Sequence, residues 1–155
     1  MLRTQRMDFR HAAPEAYRAL AALTRASTLD HGLAELVKVR ISQVNGCAYC
    51  VDLHIRLALK AGENQRRLDA LATWREAPFF TDGERAALAL AEALTVLSEG
   101  PVPEELYDEV YAQLGEDPLT GLVVVITGIN AWNRAMIAAG DPPPPIGRPT
   151  RRADR

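Results

Sequence analysis

The chain has 155 residues, 48 % hydrophobic and 25 % charged, with a formal net charge of −2 and a pI near 5.9. This is ordinary composition for one domain that buries a core without staples, and its small charge gives no electrostatic basis for binding nucleic acid or an anionic membrane. No apolar run reads as long enough to span a bilayer, and MLRTQRMDFRHAAPEAY lacks the apolar core of a secretory signal, so a cytoplasmic protein is expected.

Apolar residues recur at spacings of three and four along most of the chain, which predicts an all-α fold of six to seven helices. A first helix starts at Pro14 with Tyr17, Leu20 and Leu23 on one face. Asp30 caps a second, from about His31 to Val44, in which Lys38 and Arg40 read as solvated. The segment NGCAYCVDLH opens a third that ends at Gly62, and Asn64 caps a short fourth containing Leu68 and Leu71. After a break at Pro78, Thr81 and Glu84 form a capping box for a fifth helix. Pro103 begins a sixth, closed by Gly115. Asp117 and Pro118 then read as the start of a long last helix reaching Ala139. Its β-branched run Val123–Thr127 is assigned to helix on length and end signals. The last helix is apolar on more than one side, which fits either a central helix or a subunit interface. Residues 1–140 are thus expected to form one helical domain, and the Pro- and Arg-rich 141–155 an extended, mobile tail.

Both cysteines lie in NGCAYCVDLH. A helix turns by about 100° per residue, so Cys47, Cys50 and His54, at i, i+3 and i+7, share one narrow stripe. With Asn45 or Gly46 as the cap, both cysteines fall in the first turn, where unpaired amides and the helix dipole favour thiolate over thiol. His54, one turn past Cys50, is placed to accept its proton. Three readings follow: a redox pair, three ligands of a metal site, or small buried apolar residues. The first is favoured, because a second Cys-x-x-Cys is lacking and His11 and His31 lie in other helices. In a reducing compartment so short a loop is a poor structural brace. Glu35, twelve residues before Cys47, reads in isolation as a solvated helix residue.

The chain resembles the alkylhydroperoxidase AhpD-like proteins of the carboxymuconolactone decarboxylase superfamily. The resemblance is carried by Glu35, ISQVNGCAYCVDLH, WREAPFFTDGERAALALAEALT and INAWNRAMIA, and covers most of Leu33 to Ala139. It implies an all-α fold assembled as a homotrimer or homohexamer. It also implies a thiol peroxidase that needs no metal, haem or flavin, since the decarboxylase branch lacks the cysteine pair. By the family pattern Cys50 is peroxidatic, Cys47 resolves, and Glu35 and His54 relay protons. The implied partners are a peroxide and an external dithiol, thioredoxin-like or lipoyl. One position departs: Tyr49 stands where the best-studied form has histidine, and a phenol of reference pKa near 10 is no base at neutral pH. Tyr49 is therefore at most a secondary relay group, and turnover rate and natural substrate are the properties this departure affects. A disulfide reductase, or a redox-sensing or scaffolding protein without peroxide turnover, are the alternative functions.

Overall fold

A computed structural model describes residues 5–146, and among these residues it is all helical, with eight α-helices and no strand. They are α1 (Phe9–Ala12), α2 (Pro14–Arg25), α3 (His31–Asn45), α4 (Ala48–Lys60), α5 (Gln65–Ala70), α6 (Asp82–Thr95), α7 (Glu104–Leu114) and α8 (Glu116–Ala139). Two single 3-10 turns, Leu71–Thr73 and Leu97–Glu99, follow α5 and α6.

Helix ends follow the local signals where a side chain can cap alone. Asp30 accepts from the Leu33 amide, Asn64 from the Arg66 amide, and Thr81 and Glu84 exchange both bonds of a capping box. The run Val123–Thr127 is helical. Two boundaries differ from expectation. Gly115, at φ 80°, already serves as the N-cap of α8, which places Asp117 and Pro118 inside its first turn. Helix α1 is an addition, too short to show a period. It docks through Phe9, whose ring meets Trp132 of α8 edge-on, 6.5 Å away; Tyr17 meets Trp132 at 4.9 Å.

Helix α3 is the centre of the fold. It packs against α4, α6 and α8, and its buried residues Leu36, Val37, Val39 and Ile41 occupy several faces. That all-round burial puts Glu35 and Ser42 in the interior as well. Helix α8 is long and apolar enough to cross a membrane by length and composition, contrary to the expectation that no run is. Its packing against α2, α3, α6 and α7 accounts for much of that apolarity, as for a core helix. Val123 is its exposed large apolar residue among those described. Residues 141–146, beyond the left-handed Gly140, are not helical; the rest of the expected tail lies outside the described residues.

Candidate active site

The turn between α3 and α4 places the cysteines. Gly46 takes the left-handed φ of 69° that ends α3, a conformation nearly free for glycine and strained for other residues. The Cys47 amide then donates to the Ser42 carbonyl at 3.0 Å, closing the turn. Cys47 is itself the N-cap of α4, so Cys50 is the third helical residue. Contrary to the expectation from sequence, neither Asn45 nor Gly46 caps this helix: Gly46 is occupied in ending α3, and the Asn45 amide is turned to Asn130 and Asn133, 2.9 Å from each. The stripe nevertheless forms. Cys47 and Cys50, each 2 % exposed, and His54, 9 % exposed, all face inward, and both cysteines are free thiols.

Glu35 is 2 % exposed, so the solvated reading of it fails. Its Oε2 lies 2.7 Å from His54 Nδ1, and its Oε1 accepts from Lys38 Nζ at 2.7 Å. Lys38 is therefore a half-buried partner of Glu35 rather than a solvated residue. Arg40, the other cation expected in solvent, pairs with Glu92 of α6 at 2.6 Å. Burial alone would raise the Glu35 pKa, but the bond and charge of His54, and then Lys38, hold it below the ordinary carboxylate value. Glu35 is thus a carboxylate at neutral pH. It fixes the imidazole with Nδ1 towards itself, which leaves Nε2 to exchange a proton.

The two thiols set each other's ionisation. The S–H of Cys50 is the largest influence favouring charge on Cys47, whose pKa falls to about 7 although burial opposes it. The Cys50 amide and the Asn133 side chain add to that stabilisation. Cys50 is pushed up by the same contact with Cys47, by burial and by the neighbouring negative charge. In physical terms the pair loses its first proton near neutrality and resists losing the second. Asp141, just past α8, has a carboxylate close enough to oppose ionisation of both sulfurs.

Tyr49 is half-buried against the core, and burial first, then the charge of Tyr17, raises its phenol above the usual value. Both oxygens of Glu35 are taken by Lys38 and His54, so Tyr49 has no part in that pair. His11 lies on α1 paired with Asp8, and His31 is exposed at the start of α3; neither approaches the site. Among the described residues no group of three or more His, Cys, Asp or Glu side chains is arranged to hold a metal ion.

The carboxymuconolactone decarboxylase family matches residues 11–93, more than half of the chain, with Glu35, both cysteines and His54 inside the match. The chain belongs to this family. Within it the fold is AhpD-like: ATU0492 of Agrobacterium tumefaciens, a protein of unknown function named as a candidate antioxidant-defence protein AhpD, superposes with a TM-score of 0.87. The two are 32 % identical, over 91 % of this chain and 99 % of that one. The uncharacterized protein YdfG of Bacillus subtilis is 38 % identical over 141 residues, 89 % of this chain and 96 % of its own. The debrominase Bmp8 shares the fold at 22 % identity and a TM-score of 0.76, over 86 % of this carboxymuconolactone decarboxylase family chain and 74 % of Bmp8. The family is one of enzymes.

Four residues of this neighbourhood were not singled out from the sequence: Lys38 as a partner of Glu35, Glu92, Asn133 and Asp141. Lys38 carried a local signal, since it lies three positions after Glu35 and i,i+3 pairs meet on a helix. The others arrive by tertiary contact.

Proposed function

We propose that this AhpD-like protein is a thiol peroxidase that reduces hydrogen peroxide or an alkyl hydroperoxide through the Cys47–Cys50 pair. The observation that carries the reading is the 2.7 Å bond between the buried carboxylate of Glu35 and His54 Nδ1, one helical turn from Cys50. A structural cysteine pair needs no base, and a buried carboxylate–imidazole pair beside two thiols prepares one.

The reacting state is the singly ionised pair. Cys50 becomes the nucleophile when the first proton of the pair has passed to His54 Nε2 and the remaining one rests on Cys47. Its sulfur attacks the distal oxygen of the peroxide, the O–O bond breaks, and the departing alkoxide takes a proton to leave as alcohol, or as water from hydrogen peroxide. Cys50 is then a sulfenic acid. The Cys47 thiolate attacks that sulfur, the S–OH bond breaks with loss of water, and the disulfide forms. An external dithiol returns both cysteines to thiols and is itself oxidised. Glu35 stabilises the imidazolium whenever His54 holds the proton. The step needs no metal, haem or flavin.

The burial of both sulfurs favours a small peroxide over a protein disulfide as the oxidant. By the same argument it favours a slender dithiol, such as a lipoyl arm, over a bulky thioredoxin-like donor. The reading also carries a homotrimer or homohexamer in a reducing, cytoplasmic compartment, which light scattering across a wide concentration range tests: a monomer throughout would reject the assembly. For the activity, stoichiometric peroxide should oxidise both thiols of each subunit, and added dihydrolipoamide should sustain turnover. A disulfide that forms without sustained peroxide consumption would leave a redox-sensing role in its place.

A further inference from the structure

Helix α4 places Cys50 and His54 by its own geometry, but it does not place Cys47. Cys47 precedes the helix with an extended backbone, φ −86° and ψ 93°, so its side chain goes where the turn from α3 sends it. That turn is a Schellman closure. The Gly46 amide donates to the Gln43 carbonyl at 3.2 Å, and the Cys47 amide to the Ser42 carbonyl at 3.0 Å. Helix ends are where fraying begins, so these two backbone bonds hold the first cysteine firmly only if something else holds the turn.

A buried amide on α8 does so. Asn133 has none of its surface exposed. Its Nδ2 donates to Ser42 Oγ at 3.1 Å, and its Oδ1 accepts from Asn45 Nδ2 at 2.9 Å. Asn45 also donates to Asn130 Oδ1 at 2.9 Å, and Asn130 donates to Thr95 Oγ1 of α6 at 2.9 Å. The two α3 residues bonded to Asn133 are the carbonyl partner of Cys47 and the residue before Gly46. One side chain thus ties both ends of the turn. A buried amide is tolerated only with its bonds made, and these bonds are made in a single register of α3 on α8.

We propose that Asn133 is a positioning residue for the disulfide step: through Ser42 and Asn45 it fixes the turn that presents Cys47 to Cys50. The proposal rests on the redox reading of the pair, and goes beyond it by naming what places the resolving sulfur, apart from the relay that serves the attacking one. In that step the Cys47 sulfur bonds to the Cys50 sulfur, the S–OH bond of Cys50 breaks, and the oxygen leaves as water with the Cys47 proton. A turn that is already ordered loses no further conformational entropy on closure, which raises the effective concentration of one sulfur at the other.

The test reads closure of the pair without peroxide. In mixtures of lipoamide and dihydrolipoamide, the protein dithiol gives two electrons and two protons to the lipoamide disulfide, and the protein disulfide takes them back from dihydrolipoamide. Alkylation and mass spectrometry count the fraction closed. In Asn133→Ala the equilibrium constant for closure should fall roughly tenfold or more, the scale on which a misplaced reacting group is felt. Ser42→Ala and Asn45→Ala, each removing one bond to Asn133, should shift it the same way by less. Ser42→Ala added to Asn133→Ala should change little further, because both act through one bond. Val110→Ala opens a cavity at a fully buried position of α7, so it should lower stability and leave the constant at the wild-type value. A folded Asn133→Ala with the wild-type constant, or a Val110→Ala that shifts it as far, would overturn the proposal. Should Asn133→Ala not fold, Ser42→Ala and Asn45→Ala decide, and wild-type closure in both would equally overturn it. A protein whose closure depends on Asn133 but which consumes no peroxide defeats the peroxidase reading and leaves this one standing.

Discussion

Two carboxylates meet at α3, Glu35 buried on it and Glu92 half-buried on α6, and they do different things. Glu35 bonds Lys38 and His54; Glu92 of α6 bonds Arg40 Nε at 2.6 Å, Arg75 Nη1 at 2.6 Å and Trp74 Nε1 at 2.8 Å. For both, burial would raise the pKa and the donors more than reverse it, so both are charged at neutral pH. The difference is in the partners. Guanidinium and indole hold their protons at any physiological pH, so Glu92 ties α3, α6 and the 74–75 segment together and has no proton to manage. Glu35 instead bonds an imidazole, a side chain able to take and give a proton, and in the proposed mechanism it acts through His54 on Cys50. A lowered carboxylate pKa marks a well-bonded group; the titration range of its partner separates a brace from a relay.

The largest expected effect separates the two directly. Glu35→Gln should slow sulfenate formation by roughly a hundredfold below neutrality, the order of a general-base contribution, and Glu92→Gln should leave that rate almost unchanged. The Glu35→Gln loss should shrink towards pH 9, where the thiol ionises without help. Stopped-flow peroxide reaction of both variants across about pH 6 to 9 measures this. Equal rates for Glu35→Gln and wild type would remove Glu35 from the mechanism and erase the contrast.

Stability should order them the other way. Glu92→Gln replaces the acceptor of three donors by one that cannot satisfy them all, at a cost of about 1–3 kcal/mol in denaturant unfolding. Lys38→Met sharpens the Glu35 half of the comparison at a smaller scale. Losing a cation that holds the Glu35 pKa down should move the acid edge of activity upward in pH, with less than about tenfold loss at neutrality. An unmoved edge would make Lys38 packing only.

The smallest effect is in acid. Glu92 has a folded pKa below 4.5, so its stabilisation is present above that pH and is lost as pH falls through the folded value. The thermal midpoint of wild type should therefore fall in acid more steeply than that of Glu92→Gln, which has no carboxyl to protonate there. Parallel curves would assign the acid sensitivity elsewhere.

What the sequence showed about these regions follows the range of the physics. Asp30, Asn64 and the Thr81–Glu84 box cap within three residues of themselves, and the Cys47–Cys50–His54 stripe is a property of one helix, so all were legible. The burial of Glu35 was not, because it comes from helices packed on every side of α3; the family resemblance alone moved it from solvent to site. Arg40 reads as solvated until Glu92, fifty-two positions away, closes on it. Asn133 reaches Ser42 across ninety-one positions, and no local pattern announces that contact. Cys47 as its own helix cap was missed for a subtler reason: Gly46 and Asn45, the better cap residues by type, were already committed to ending α3 and to the α8 amides.

The most direct test of the account is to treat Cys47→Ser protein with stoichiometric peroxide in the presence of a sulfenic-acid trap, and to map the adduct by mass spectrometry. The Glu35–His54 relay beside Cys50 predicts the adduct on Cys50. An unmodified Cys50 there, with the trapped sulfenate found instead on Cys47 of Cys50→Ser protein, would contradict it.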